Sequence, residues 1–193
     1  MLLADTGYGQ GEVLMTPLDV AMSYSALSNN GDIMKPRLVI SENKEPKVYS
    51  KAINKENLEE LISCFGAVIN DEDGTGNLGK INGVNLIGKT GTAEKVDSET
   101  GTYGAGYIAS FAGFAPYDNP QVSLIVIIDN PKNGEHFGGI VAAPFAGELF
   151  NNIFNYISLN EGQLDVKDES VIITDLRGDK VTSAEKTLNE LGI

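Results

Sequence analysis

Lys89, Thr90, Gly91 and Thr92 stand in a row, followed by Ala93, directly after the apolar run Val84-Asn85-Leu86-Ile87-Gly88. The run reads as one edge of a β-strand. A cation and two hydroxyls gathered around a glycine suit the binding of a carboxylate beside a reacting carbonyl. That chemistry needs a nucleophile, and the chain has no obvious one.

The other residues capable of chemistry are few. His136 is the one histidine and sits in Asn133-Gly134-Glu135-His136-Phe137, a loop-like context, so a Ser-His-Asp triad would depend on it alone. Cys64 is the one cysteine, which excludes an intrachain disulfide and a cysteine metal cluster. It reads as a small apolar residue of a helix. Asp71-Glu72-Asp73-Gly74-Thr75-Gly76 is rich in acids but lacks the spacing and closing Glu of an EF-hand, so it reads as a solvated turn. Gly7-Tyr8-Gly9-Gln10-Gly11 does not match G-x-G-x-x-G and follows no strand, so phosphate cradling is not expected. No metal or other cofactor is expected.

With 193 residues, the chain has room for one domain, or one domain and a fragment. Its 41% apolar content is that of an ordinary globular protein. A net charge of −13 disfavours phosphate backbones and anionic membrane surfaces, so nucleic acid is not an expected partner. No run of 18 apolar residues exists, and the start Met1-Leu2-Leu3-Ala4-Asp5-Thr6-Gly7 has no basic leader. The chain is expected to begin inside a domain.

The elements that must position the Lys-Thr-Gly run follow from patterning. Thr16 is a good N-cap and Pro17 a good first helical residue, with Leu18, Ala21, Met22 and Leu27 as the apolar face and Asn29-Asn30-Gly31 as the stop. Met34 to Ile40 and Lys47 to Tyr49 are short strand candidates. From Asn54 the period is helical, with Leu58, Leu61, Ile62, Phe65, Val68 and Ile69 at three- and four-residue spacing. Three strands follow: Val84 to Glu94, Tyr107 to Phe114, and Val122 to Ile128. The last is nearly all apolar and is expected to be buried on both faces. The short turn between the last two predicts antiparallel pairing. A helix over about Pro144 to Ile157 presents Phe145, Leu149, Ile153 and Phe154 to the sheet. Asn160 to Glu169 reads as a linker. Beyond it Val171 to Ile173 is strand-like, and Thr182 and Glu185 are spaced as a capping box.

An ordered series carries a resemblance. Gly7 to Gly11, Thr16-Pro17-Leu18, Ala26 to Gly31, Lys35-Pro36-Arg37, Gly74-Thr75-Gly76, Gly88 to Ala93, Ala109 to Pro116, Asp129-Asn130-Pro131 and Gly138 to Phe145 together resemble the C-terminal part of class B penicillin-binding proteins. K-T-G is one of the three motifs of those serine enzymes, with S-x-x-K and S-x-N. Within the family the series is most similar to division and sporulation transpeptidases. Val171 to Gly178, Ala184-Glu185-Lys186 and Leu188 to Gly192 resemble the first half of a PASTA module. The expected organisation is therefore transpeptidase sequence over residues 1–158, a linker over 159–169 and an incomplete PASTA module over 170–193.

The resemblance implies an α/β (α+β) fold, part of the β-lactamase-like serine acyltransferase architecture, with an antiparallel sheet flanked by helices. It implies acyl transfer: a serine attacks the D-Ala-D-Ala end of a peptidoglycan stem, and an amine of a second stem resolves the acyl-enzyme. Stem peptides and β-lactams are the implied ligands, and other division or cell-wall synthesis proteins the implied partners. The implied location is the extracytoplasmic face of the membrane, with an N-terminal anchor outside this chain. Lys89 is the implied catalytic cation. Thr90 and Thr92 offer hydroxyls to the terminal carboxylate, Gly91 lets the ligand backbone lie close, and the Thr92 amide is the implied oxyanion-hole donor.

The remaining motifs do not fall where the family has them. Ser41-Glu42-Asn43-Lys44 lies too close to Lys89, Ser28-Asn29-Asn30 ends a helix, and Ser183 to Lys186 is in the wrong module. The nucleophile, its lysine partner and the middle serine are expected upstream. Two alternatives stay open: a serine β-lactamase or sensor of the same fold, and a non-catalytic fragment that binds wall ligands or acts as a scaffold.

Overall fold

Thr16 caps a helix by a reciprocal exchange: its hydroxyl accepts from the Asp19 amide at 3.2 Å, and Asp19 Oδ2 accepts from the Thr16 amide at 3.2 Å. Pro17 follows as the first helical residue, so the start of this helix was legible in the sequence. The computed structural model describes residues 2–7, 13–38, 45–132, 134–159 and 186. Their elements are α1 (Leu2–Gly7), α2 (Pro17–Ser28), β1 (Asp32–Met34), β2 (Val48–Lys51), α3 (Lys55–Asn70), β3 (Ile87–Val96), β4 (Tyr103–Ala115), β5 (Val122–Asp129), α4 (Gly138–Val141) and α5 (Ala143–Leu159). The chain divides into two compact units, Met1–Asn155 and Tyr156–Ile193, and the account below concerns the first. The linker and the PASTA-like segment lie outside the described residues, apart from Leu159, which ends α5, and Lys186.

β3, β4 and β5 form one antiparallel sheet in that order, and β1 pairs with β2 in a separate two-stranded sheet. The alternation of β4 distributes its side chains between two cores. Phe111 and Ala115 face a cluster with Ile69, Leu86, Leu124, Ala142, Ala143, Ala146 and Phe150. Phe114 points the other way, to Leu27, Leu58 and Ile87, with Tyr24, Ile62 and Phe65 packed around them. The sheet is thus covered by α4 and α5 on one face and by α2 and α3 on the other. Ser123 Oγ donates to the Ala21 carbonyl at 2.8 Å and ties β5 to α2. Tyr24 is half-buried, and its desolvation pushes the hydroxyl up to about 12. At the β3–β4 turn, the Asp97 carboxylate accepts from the amides of Thr100 and Glu99, which holds it below the usual Asp value.

Several expectations are corrected. The β1 candidate does not run from Met34 towards Ile40: β1 ends at Met34, because Lys35 is followed by Pro36, which has no amide for the ladder. Ile40 lies outside the described residues. β3 begins at Ile87 rather than Val84, which makes only an isolated bridge with Ile81. β5 is not buried on both faces: Leu124 is buried, but Ile127 is 43% exposed. α5 buries Ala143, Ala146 and Phe150, while Phe145 and Leu149 are exposed. Phe150 lies inward with the two alanines, and Ile153 and Phe154 pack half-buried against the same cluster, so only Phe145 and Leu149 depart from the expected face. Leu18 of α2 is exposed as well.

Candidate active site

Lys89, Thr90, Gly91 and Thr92 occupy the middle of β3, opposite Ala112, Phe111, Ser110 and Ala109 of β4. β3 has β4 on one side and, among the described residues, no strand on the other. The run therefore lies in a strand, as the apolar residues before it predicted, and that strand forms an open edge of the sheet among the described residues. Gly91 leaves room for its neighbour across the ladder: a Cβ there would lie 2.5 Å from Ser110 Oγ, which would have to rotate away.

Each polar side chain of the run has a defined contact. Lys89 is exposed, and its ammonium donates to the Thr90 carbonyl at 2.8 Å. It has no acidic partner among the described residues, whereas Lys95, on the same strand, pairs with Asp129 of β5 at 2.8 Å. The uncompensated cation of β3 is thus at Lys89. Thr90 Oγ1 lies 2.9 Å from Thr75 Oγ1. Thr92 Oγ1 accepts from the amide of Gly138 at 3.0 Å. N–H and C=O groups two residues apart on a strand point to the same side. The amide of Thr92 therefore shares the side of the Thr90 carbonyl, where the Lys89 ammonium also reaches.

The support beneath the run comes from two glycines. Gly138 opens α4 and packs against the carbonyls of Gly91 and Ser110, and Gly139 packs against the Thr75 carbonyl. A side chain at either position would collide with backbone, so α4 can sit on β3 and β4 only because both are glycine. Thr75, Gly138 and Gly139 were not read from the sequence as site residues. The only signal was compositional: Gly-Thr-Gly and Gly-Gly are the small residues that allow close approach.

The alternative nucleophiles gain nothing from the fold. Ser28 ends α2, and its hydroxyl donates to the Ser25 carbonyl at 2.8 Å. Ser41, Lys44 and Ser183 lie outside the described residues. His136 is stacked on Tyr107 with ring centroids 3.9 Å apart and lies 4.4 Å from the Phe137 ring. Sequence reasoning did not foresee that stack. Cys64 is exposed rather than buried, on the solvent side of α3. A cavity of about 250 Å³ lies between α2, α3 and the β4–β5 turn, lined by Leu27, Lys55, Leu58, Phe114 and Tyr117 among others. None of the four residues of the run lines it, so the candidate site is the strand edge.

Comparison with known proteins identifies the family and the fold. The family model "Penicillin binding protein transpeptidase domain" matches residues 2–154. The chain is 33% identical over 143 residues to penicillin-binding protein 3 of Bacillus subtilis, covering 71% of this chain and 21% of that protein. It is 33% identical over 160 residues to stage V sporulation protein D of the same organism, covering 77% of this chain and 24% of the relative. It is 29% identical over 167 residues to the peptidoglycan D,D-transpeptidase FtsI of Escherichia coli, covering 86% and 27%. The chain thus spans about a quarter of the length of the curated relatives it matches. Among solved structures, the apo transpeptidase domain of penicillin-binding protein 3 from Burkholderia pseudomallei superposes with a TM-score of 0.65 at 26% identity, over 75% of this chain and 43% of that one. Penicillin-binding protein 3 of Mycobacterium tuberculosis, complexed with aztreonam, gives 0.66 at 25% identity, over 81% and 38%.

Proposed function

The chain belongs to the penicillin-binding protein transpeptidase family, and from that premise we propose that it is the C-terminal part of a peptidoglycan D,D-transpeptidase whose nucleophile lies in sequence preceding this chain. The observation that carries the proposal is the open edge of β3. It presents one unpaired cation, Lys89, and two hydroxyls, Thr90 and Thr92, whose positions are set by Thr75 and Gly138.

In this reading Thr90 and Thr92 hold the terminal carboxylate of a D-Ala-D-Ala stem or of a β-lactam. Lys89 raises the local potential and orders protons near the serine. The amide of Thr92 donates to the oxyanion as the serine adds to the carbonyl. Loss of one such donor lowers rate by about 10²–10³. The serine oxygen bonds to the carbonyl carbon, terminal D-Ala leaves with a proton, and the amine of a second stem then displaces the serine. Residues 1–158 form the C-terminal part of the transpeptidase domain, 159–169 the linker and 170–193 an incomplete PASTA module. The parent acts at the extracytoplasmic face of the membrane, with other division or cell-wall synthesis proteins.

Fluorescent penicillin tests the reading. The parent polypeptide, with its upstream segment, should give a boil-resistant labelled band, and this chain alone should give none. A parent that never labels would leave the non-catalytic, wall-ligand-binding reading in its place. A labelled band on the chain alone, mapped to Ser28, Ser41 or Ser183, would overturn the assignment of the nucleophile to upstream sequence.

A further inference from the structure

The hydroxyl of Thr90 is held by another side chain. Its partner, Thr75, sits in the turn that follows α3, and Thr75 Oγ1 lies 2.9 Å from Thr90 Oγ1. That turn is pinned at several points. Gly76 donates its amide to the Val68 carbonyl at 2.9 Å, and Gly74 donates to the Asp71 carbonyl at 3.0 Å. Gly139 of α4 packs so closely on the Thr75 carbonyl that a side chain there would collide with it. Thr75 is thus fixed by α3 on one side and by α4 on the other, and its own side chain remains exposed at the strand.

A hydroxyl carries one proton and two acceptor lone pairs. For Thr90 to donate to a carboxylate, its proton must point at the ligand. An unsupported Thr side chain can rotate about χ1 and its hydroxyl about the C–O bond. A second hydroxyl that donates into Thr90 removes that freedom and leaves the Thr90 proton for the ligand. Chains of this kind also polarise the terminal donor.

Resting on the transpeptidase reading above, we propose that Thr75 is a positioning residue of the carboxylate subsite. It donates to Thr90, and Thr90 donates to the terminal carboxylate of the stem peptide or β-lactam. The Gly138 amide holds Thr92 in parallel, so the two hydroxyls of the subsite are oriented from two different elements. No bond is made or broken at Thr75, and its effect is confined to ligands that carry the anion.

The experiment uses the parent polypeptide and compares acylation by a penicillin with acylation by the methyl ester of the same penicillin. Thr75→Val keeps the shape and removes the hydroxyl; Thr75→Ser keeps the hydroxyl and removes the methyl. The expected result is a roughly tenfold loss of acylation rate with the acid in Thr75→Val, the upper end for one hydrogen bond between neutral groups. The ester rate should stay unchanged, and Thr75→Ser should recover the acid rate. The acid-to-ester ratio is insensitive to the fraction of folded enzyme. Equal losses with acid and ester would show that Thr75 only supports the fold, and an unchanged ratio would overturn the proposal while leaving the transpeptidase reading intact. A parent that acylates with neither ligand would remove the transpeptidase reading, and this inference with it.

Discussion

Gly138 donates its amide to the hydroxyl of Thr92 at 3.0 Å, across 46 positions of sequence. The contact brings the start of α4 onto the strand that carries the candidate site. It exists because Gly138 has no side chain: a Cβ would run into the carbonyls of Gly91 and Ser110. Gly138→Ala should therefore force α4 away from β3 and lose the bond to Thr92. Overpacking of this kind costs about 1–3 kcal/mol. The expected outcome is a lower thermal midpoint together with slower acylation in the parent. A variant as stable and as active as the parent would mean that α4 does not seat on the strand.

Lys89→Ala should behave differently. Lys89 is exposed and its ammonium contacts only a backbone carbonyl, so its loss opens no cavity. In the parent the acylation rate should fall by about 10²–10³, the range for removal of a preorganised charge stabiliser, with the thermal midpoint within experimental error of the parent. Acylation within about threefold of the parent, on the scale where tenfold is 1.4 kcal/mol, would remove Lys89 from the site.

The positions that the sequence revealed and those it hid differ in a physical way. The N-cap Thr16 with Pro17 and the apolar run of β5 are local signals, and both elements appear where expected. The strand bearing Lys89 to Thr92 was legible for the same reason. What failed was the assignment of faces. Phe145 and Leu149 attracted the inward assignment in α5 because they are large, yet both are exposed, while Ala143, Ala146 and Phe150 are buried and the expected Ile153 and Phe154 pack against them. The helix α1 carried no capping signal and was not expected. Thr75 and Gly138 act on the site through contacts between elements distant in sequence, and no local pattern reports such a contact.

Tyr24 offers a pH test of the packing between α2 and α3. Its ring is half-buried beside Phe65, with centroids 5.6 Å apart, and desolvation raises its pKa from 10.0 to about 12. The folded state thus holds this proton more tightly than the unfolded state. Its contribution to stability is complete below pH 10 and is lost as pH rises towards 12. Denaturant unfolding between pH 9 and about 11.5 should show falling stability in the chain and a shallower fall in Tyr24→Phe. Identical slopes would mean that Tyr24 is solvated.

The two edges of the sheet differ in how they are protected. β3 carries Lys89, Glu94 and Lys95 and two glycines, features that discourage pairing with another chain. β5 reads Val122-Ser123-Leu124-Ile125-Val126-Ile127-Ile128-Asp129, with no charge until its last residue and no proline. Its free side meets no strand among the described residues, and Ile127 is 43% exposed. Such an edge, apolar and unpaired, is a template for a second copy. The isolated chain should therefore be marginally stable and should dimerise or aggregate through β5, with light scattering that rises with concentration over tens of micromolar. Ile127→Lys places a charge on the exposed position of the strand and should suppress the scattering. If self-association goes through another surface, the lysine will not change it. A stable monomer at the same concentration, with slowly exchanging amides along residues 122–128, would show instead that the chain protects this edge by itself.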